Sequence, residues 1–310
     1  MNARTALGAG ICAAALTAGA AHGVVIAGGG GNTNAPADDP GWDHLGSFNT
    51  GANSGVYLGN GWILTAYHVF VLDNPTAFNL GGTAYALDTG SWTRLTNATS
   101  SADLVMVKLT NATPALSTLQ IRASAPVADA AVAMIGHGYY QASDLTYWTN
   151  TLPTWTETAA SNAVYSGYNT TGTLLMQWGL NNVALRNLNV NDGYGVNRSF
   201  TTVFDSNAGP DEAQAVVGDS GGGVFIKNGA TWELAGMMYN VDSPYAGEPP
   251  SGYGRTAVFG TSTYAADLSA YRSQINSIIP EPSALAVMSG AFLMRWLLGR
   301  RRRNAADAAE

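Results

Sequence analysis

Gly218-Asp219-Ser220-Gly221-Gly222-Gly223 is the stretch on which the fold turns. A serine set among glycines permits a tight backbone turn whose amide hydrogens converge, the arrangement an oxyanion site needs. The segment also satisfies G-x-S-x-G, the nucleophile elbow of an α/β-hydrolase, so on its own it is compatible with two folds. Chain order separates them. The elbow fold carries its histidine after the serine, and the last histidine here is His137. The partners of Ser220 must therefore be sought upstream.

Two segments qualify. In Trp62-Ile63-Leu64-Thr65-Ala66-Tyr67-His68-Val69 a histidine follows an apolar strand, at a core edge where it can still face solvent. In Ala102-Asp103-Leu104-Val105-Met106-Val107-Lys108-Leu109 an aspartate enters a strand of large apolar residues, which buries the carboxylate. A buried carboxylate needs a hydrogen-bond partner, and a histidine N–H is a suitable one. His44 and His137 read as structural or surface residues.

The surrounding chain is β-rich. It is 46% hydrophobic and only 11% charged, with 37 Gly and 12 Pro, which excludes a coiled coil, a helical bundle and a charge-driven disordered chain. Short apolar runs bounded by Gly, Asn, Pro or Asp suit strands at 55–58, 62–65, 104–109, 132–135, 174–178, 200–204, 224–226, 232–239 and 255–259. Asn60-Gly61 between the first two is a hairpin turn signal. Residues 28–53 read as a surface stretch leading into the first strands. Leu268, Tyr271, Ile275 and Ile279 recur at helical spacing, so 265–279 is expected to be a helix. The single cysteine, Cys12, allows no intrachain disulfide and no multi-cysteine metal site.

In the order His68, Asp103, Ser220 these segments resemble the trypsin/chymotrypsin-like (S1 family) serine peptidases. The family's Thr-Ala-Ala-His reads here as Thr65-Ala66-Tyr67-His68, its Asp-Ile-Ala-Leu as Asp103-Leu104-Val105-Met106, and its Gly-Asp-Ser-Gly-Gly stands unchanged at 218–222. Gly136-His137-Gly138 and Leu234-Ala235-Gly236-Met237 are weaker echoes. The resemblance spans roughly residues 50–279. It implies an all-β fold of two six-stranded antiparallel β-barrels with a C-terminal helix, and a catalytic His68-Asp103-Ser220 triad in the cleft between them. It implies an oxyanion hole from the Gly218 and Ser220 amides, protein or peptide substrates, and neither metal nor cofactor. It also makes Asp219 the partner of a new N-terminus, for which Val24-Val25-Ile26-Ala27-Gly28-Gly29 is a loose match. Counting back from Ser220, Gln214 falls at the base of the specificity pocket, with Met237, Met238 and Tyr239 near its wall, which favours apolar or small uncharged side chains. A shifted alignment would bring in Glu212 or Asp211 and restore a basic preference. The family's cysteine after the histidine is Val69 here, and Tyr67 replaces an alanine. A non-catalytic surface or matrix binding protein on the same fold, and an exported esterase using the same triad, are the alternatives.

The termini point outside the cytoplasm. Residues 1–22, with Arg4, an uncharged Ala-rich run and Ala18-Gly19-Ala20, read as a secretory signal peptide. Pro280-Glu281-Pro282, the apolar run 284–299 and Arg300 to Arg303 closely resemble the PEP-CTERM sorting signal of Gram-negative bacteria. Sixteen helical residues reach about 24 Å, short of the roughly 30 Å hydrocarbon core. The resemblance implies transient inner-membrane association through 283–299, an exosortase-type sorting enzyme as partner, and delivery to the periplasm, outer surface or extracellular matrix. The expected organisation is thus a signal peptide (1–22), a peptidase domain (23–279), a sorting segment with a short hydrophobic helical tail (280–303) and a cytoplasmic tail (304–310). Without Arg4 and the five C-terminal arginines, 8 of 14 basic residues remain, and without Glu281, Asp307 and Glu310, 18 of 21 acidic residues remain, a balance near −10. No basic patch exists for nucleic acid.

Overall fold

The computed structural model describes residues 23–279 apart from 52, 111–112, 152–153 and 243–254. The expected signal peptide, sorting segment and tail lie outside the described residues. In chain order the strands of the first half are β1 (Val25–Ile26), β2 (Leu45–Phe48), β3 (Ser54–Gly59) and β4 (Trp62–Thr65), then, after helix α1 (Tyr67–Asp73), β5 (Ala77–Leu80), β6 (Thr83–Asn97) and β7 (Ser100–Leu109). Strands β2-β3-β4-β7-β6-β5 form a closed six-stranded barrel. Asn60 and Gly61 both adopt positive φ, 50° and 81°, which is the hairpin turn that their sequence demands. Phe48, Phe78 and Ile63 are buried and converge at Gly55, while Leu64, next to Ile63 on β4, is buried on the opposite face. The barrel closes where Phe48 pairs with Phe78 and Ser47 with Asn79.

The second half comprises β8 (Ala131–Gly136), β9 (Tyr139–Gln141), β10 (Thr146–Thr151), β11 (Thr154–Glu157), β12 (Tyr165–Leu174), β13 (Gln177–Asn182), β14 (Leu188–Asn191), β15 (Val196–Val203), β16 (Ala213–Gln214), β17 (Gly223–Asn228), β18 (Thr231–Val241), β19 (Thr256–Val258) and β20 (Ser262–Asp267), ending in helix α2 (Arg272–Ile278). Seven of these strands make one sheet, in the order β13-β8-β17-β18-β20-β15-β14. Its two ends meet. Val183 bridges Thr202, the Ala184 N–H donates to Thr201 O and the Thr201 N–H to Leu185 O, each at 2.8 Å. Six strands, β13-β8-β17-β18-β20-β15, are thereby closed into the second barrel, with β14 as an extension. Strands β10, β11, β12 and β19, with β9 pairing β12, form a separate side sheet. Trp155 stacks on Tyr165 in it, and Trp148 packs tilted against Trp155.

Three local expectations are corrected. The 28–53 stretch is not all surface, because Leu45–Phe48 supplies barrel strand β2. The run 174–178 is split: Leu174 ends β12 and Gln177 begins β13. The helix expected over 265–279 begins late. Ala265 and Ala266 pair with Phe200 and Ser199 on one side and with Met238 and Met237 on the other, so they complete the sheet. Asp267 then accepts the Ser269 N–H at 3.0 Å and starts a 3-10 turn at Leu268. The four residues with helical spacing, Leu268, Tyr271, Ile275 and Ile279, are nonetheless buried as their pattern requires.

Candidate active site

His68 stands on the first turn of α1, immediately after β4 delivers the chain to the barrel edge. Asp103 lies in β7, which pairs with β4, and is fully buried. The two engage twice. The His68 backbone N–H donates to Asp103 Oδ1 at 2.7 Å, and His68 Nδ1 lies 2.6 Å from Asp103 Oδ2. A carboxylate only accepts, so Nδ1 carries the proton and Nε2 keeps its lone pair. The His68 side chain retains 16% of its exposure, so it is not sealed in the core.

The second barrel braces this pair. The Asp103 N–H donates to Asn197 Oδ1 of β15 at 2.9 Å. The Tyr194 ring lies 5.4 Å from the His68 ring. Arg94 covers the Tyr67 ring at 3.7 Å, donates from Nε to Ala102 O at 2.8 Å and also donates to Tyr194 O. Neither Asn197 nor Tyr194 was legible as a site residue. The only local signal, Asn191-Asp192-Gly193, reads as a turn.

Ser220 sits in a turn built by hydrogen bonds on both sides. The Asp219 N–H donates to Val216 O at 3.0 Å, the Gly222 N–H to Asp219 O at 2.8 Å, and the Gly221 N–H to Met238 O at 2.8 Å. Gly221 has φ +86°, and a Cβ there would stand 2.0 Å from Ser54 O and 2.3 Å from Thr65 Oγ1. Only glycine fits. Ser54 of β3 fastens the turn to the first barrel: its N–H donates to Ser220 O at 2.8 Å and its Oγ to Gly218 O at 3.2 Å. Ser54 O in turn accepts from Thr65 Oγ1 at 2.8 Å, three residues before His68. Among the described residues no hydrogen bond engages the amide N–H of Gly218 or of Ser220. No hydrogen bond there joins Ser220 Oγ to His68 in this structure.

Asp219 is buried completely, and Oδ2 accepts the Val216 N–H at 2.8 Å. The Gly138 N–H points at the same carboxyl without closing a well-formed bond, and Oδ1 lacks a partner among the described residues. Burial pushes this carboxyl up to about 8. The glycines of Gly136-His137-Gly138 make room for it, since a Cβ at either would come within 2.2 or 2.6 Å of Asp219 Oδ1. Gly23 packs against Gly136, its Cβ position 2.1 Å from Gly136 O. The chain then runs through buried Val24 into β1, where Val25 pairs with Gln214. His137 is mostly buried with its N–H on Ser54 Oγ, and buried His44 contacts Tyr57 O at 2.7 Å, so both are structural.

A cavity of about 150 Å³ opens beside Ser220, lined by Ala215, Val216, Val217, Met238 and Tyr239. Gln214 does not line it. Its side chain is buried in β16, with Nε2 donating to Ser262 O at 3.3 Å. Asp211 accepts from Asn32, and Glu212 lines a different, larger cavity. Among the described residues no cluster of His, Cys, Asp or Glu could hold a metal ion, and no helix is long and apolar enough to cross a membrane.

A β protein of two barrels, with a His–Asp pair on one and a glycine-framed serine docked from the other, has the architecture of a trypsin-like serine peptidase. The family model for the trypsin-like peptidase domain matches residues 53–237, and the chain belongs to that family. No curated protein sequence matches it. Among solved structures the chain is similar to Rv3671c from M. tuberculosis H37Rv, in the inactive form of a serine-to-alanine mutant. The identity is 13% and the TM-score 0.46, over 80% of this chain and 94% of that one.

Proposed function

We propose that the chain is an exported serine endopeptidase that works through His68, Asp103 and Ser220. The observation that carries this reading is the double engagement of Asp103 by His68, which leaves the Nε2 lone pair free to accept a proton. Ser220 Oγ attacks the scissile carbonyl while His68 Nε2 takes its proton and then returns it to the leaving amine. Asp103 holds the imidazole tautomer and stabilises the imidazolium. The free N–H groups of Gly218 and Ser220 bind the oxyanion, each worth about 3 kcal/mol in the transition state.

The pocket beside Ser220 carries no charged side chain among its lining residues, which favours small or apolar residues before the cleaved bond. Glu212 and Asp211, the residues that would confer a basic preference, are engaged elsewhere. Activation follows from the unmet acceptor on Asp219. Export exposes an N-terminus close to Val24, and its ammonium pairs with the buried carboxylate, a position Gly23 already abuts through Gly136. N-terminal sequencing that placed the mature start well after Gly31 would exclude this route. The tail at 280–303 is proposed to hold the chain at the inner membrane until a sorting enzyme releases it.

The decisive test is labelling of residues 23–279 by a fluorophosphonate probe, beside Ser220→Ala. Labelling lost in the variant and cleavage of peptides support the proposal. Ester hydrolysis without peptide cleavage would favour the esterase alternative. If a folded chain trimmed to Val24 took up no probe, the binding-protein alternative would replace it.

A further inference from the structure

The loop between β14 and β15 brings the Tyr194 ring to 5.4 Å from the His68 ring and lays Gly195 against β7 at Asp103. Gly195 lies so close to β7 that a Cβ would stand 2.4 Å from Asp103 N. Within this loop Asp192 turns its carboxyl inward. Oδ1 accepts the N–H groups of Tyr194 and Gly195, each at 2.8 Å. Oδ2 is buried and no donor among the described residues reaches it. The Asp103 carboxyl lies within reach of the Asp192 carboxyl, acting on it both through its charge and side chain to side chain. Two carboxylates are acceptors only, so contact between them requires one proton. Asp103 already accepts from His68 N and Nδ1 on its two oxygens, which favours its anionic form. The proton belongs on Asp192.

We propose that Asp192 is a positioning residue for the catalytic pair, a carboxylic acid whose Oδ2–H donates to the Asp103 carboxylate and holds it in place from the second barrel. Its effect on rate rests on the serine-peptidase reading above, whereas the proton assignment does not. The groups around the contact are His68 on α1, Asp103 on β7, Tyr239 on β18, whose hydroxyl is 2.8 Å from Ser199 Oγ, and Arg94 on β6, already engaged by Ala102 O and Tyr194 O. Burial first, and then the Asp103 charge, push the Asp192 carboxyl up to about 6. Above that pH a second anion stands beside the pair and makes His68 hold its proton more tightly.

The test compares the wild type with Asp192→Asn and Asp192→Ala. Carbon-13 labelling at aspartate Cγ reads the resting protein by NMR, independently of turnover. The expected result is a carboxyl titrating near pH 6 that vanishes in both variants. A set of aspartate titrations unchanged by the variants overturns the proposal. The rate of fluorophosphonate labelling against pH gives the second readout. At pH 5, where the wild-type acid still donates, Asp192→Ala should lose about tenfold, the worth of a hydrogen bond to a charged group, and the loss should shrink as the wild-type carboxyl ionises above about pH 6. Asp192→Asn, whose amide can still donate, should lose less and shift its acid limb down by about half a unit, because no second anion can form. A loop that is merely structural would lower the rate without moving that limb, and an unmoved limb in Asp192→Asn would refute the positioning role. A protein that shows the titrating carboxyl but takes no probe keeps the proton assignment and removes the peptidase reading. Labelling without that carboxyl does the reverse.

Discussion

Replacing Asp219 by asparagine isolates one proton in the stability of the uncut chain. The carboxyl is fully buried and held up at about 8, against an ordinary value of 3.8. Between those limits the folded chain keeps a proton that the unfolded chain has released. The stabilisation is therefore complete below about pH 4 and is lost as pH rises towards 8. One proton of difference corresponds to about 1.4 kcal/mol per pH unit. Between pH 5 and pH 7 the uncut wild type should lose about 2.7 kcal/mol relative to Asp219→Asn, or roughly 5–10 °C in Tm for a domain of this size. His44 and His137, held below the usual imidazole range by burial, act in the opposite direction below about pH 6.5, as do other groups to different degrees. They are common to both proteins and cancel in the difference. The assay is urea unfolding followed by tryptophan fluorescence at pH 5, 6, 7 and 8, on chains that retain residues before Val24. Stability curves that run parallel would refute the reasoning. A chain that starts at Val24 offers a second arm, because an ammonium paired with Asp219 keeps the carboxylate ionised and the slope should disappear.

Other perturbations follow from single contacts. Gly221→Ala forces a Cβ to within 2.0 Å of Ser54 O at a φ of +86°, so a loss of about 2–4 kcal/mol in unfolding free energy is expected, with probe labelling abolished. An alanine variant as stable as the wild type would mean the turn is looser than described. Ile275→Ala empties a fully buried site on α2 and should cost about 2–5 kcal/mol, while kcat of the folded fraction stays unchanged. Calorimetry and active-site titration separate the two. A peptide library should show Ala, Val or Leu before the cleaved bond preferred at least about tenfold over Lys or Arg, since the cavity beside Ser220 has no lining carboxylate for an ammonium. A basic preference would mean that Glu212 or Asp211 reaches the substrate.

The chain announced its core strands and its site segments because each is governed by neighbours in sequence. β3, β4 and the centre of β7 are almost wholly buried, so they read as apolar runs. The turn at 218–223 is legible because its glycines are demanded by local geometry. β6 is not legible: in its fifteen residues only Leu87 and Leu95 are buried, and a ribbon exposed along most of its length leaves no periodic signal. The onset of α2 is not legible locally because Ala265 and Ala266 suit helix and strand alike, and the neighbouring strands decide between them. Gln214 missed the pocket because counting residues back from Ser220 ignores that β16 pairs with β1 and turns the side chain inward. Asp192, Tyr194 and Asn197 lie about ninety residues from Asp103 in sequence, and only the docking of one barrel on the other brings them to it.

Ser54 has a consequence for the order in which the molecule becomes competent. It belongs to an early strand of the first barrel, yet it donates to both Ser220 O and Gly218 O and receives the His137 N–H. The nucleophile turn of the late half is thus finished by a residue made more than a hundred and sixty positions before it. Neither half alone can assemble this turn, so the geometry around Ser220 waits until both halves have been made and have closed on each other.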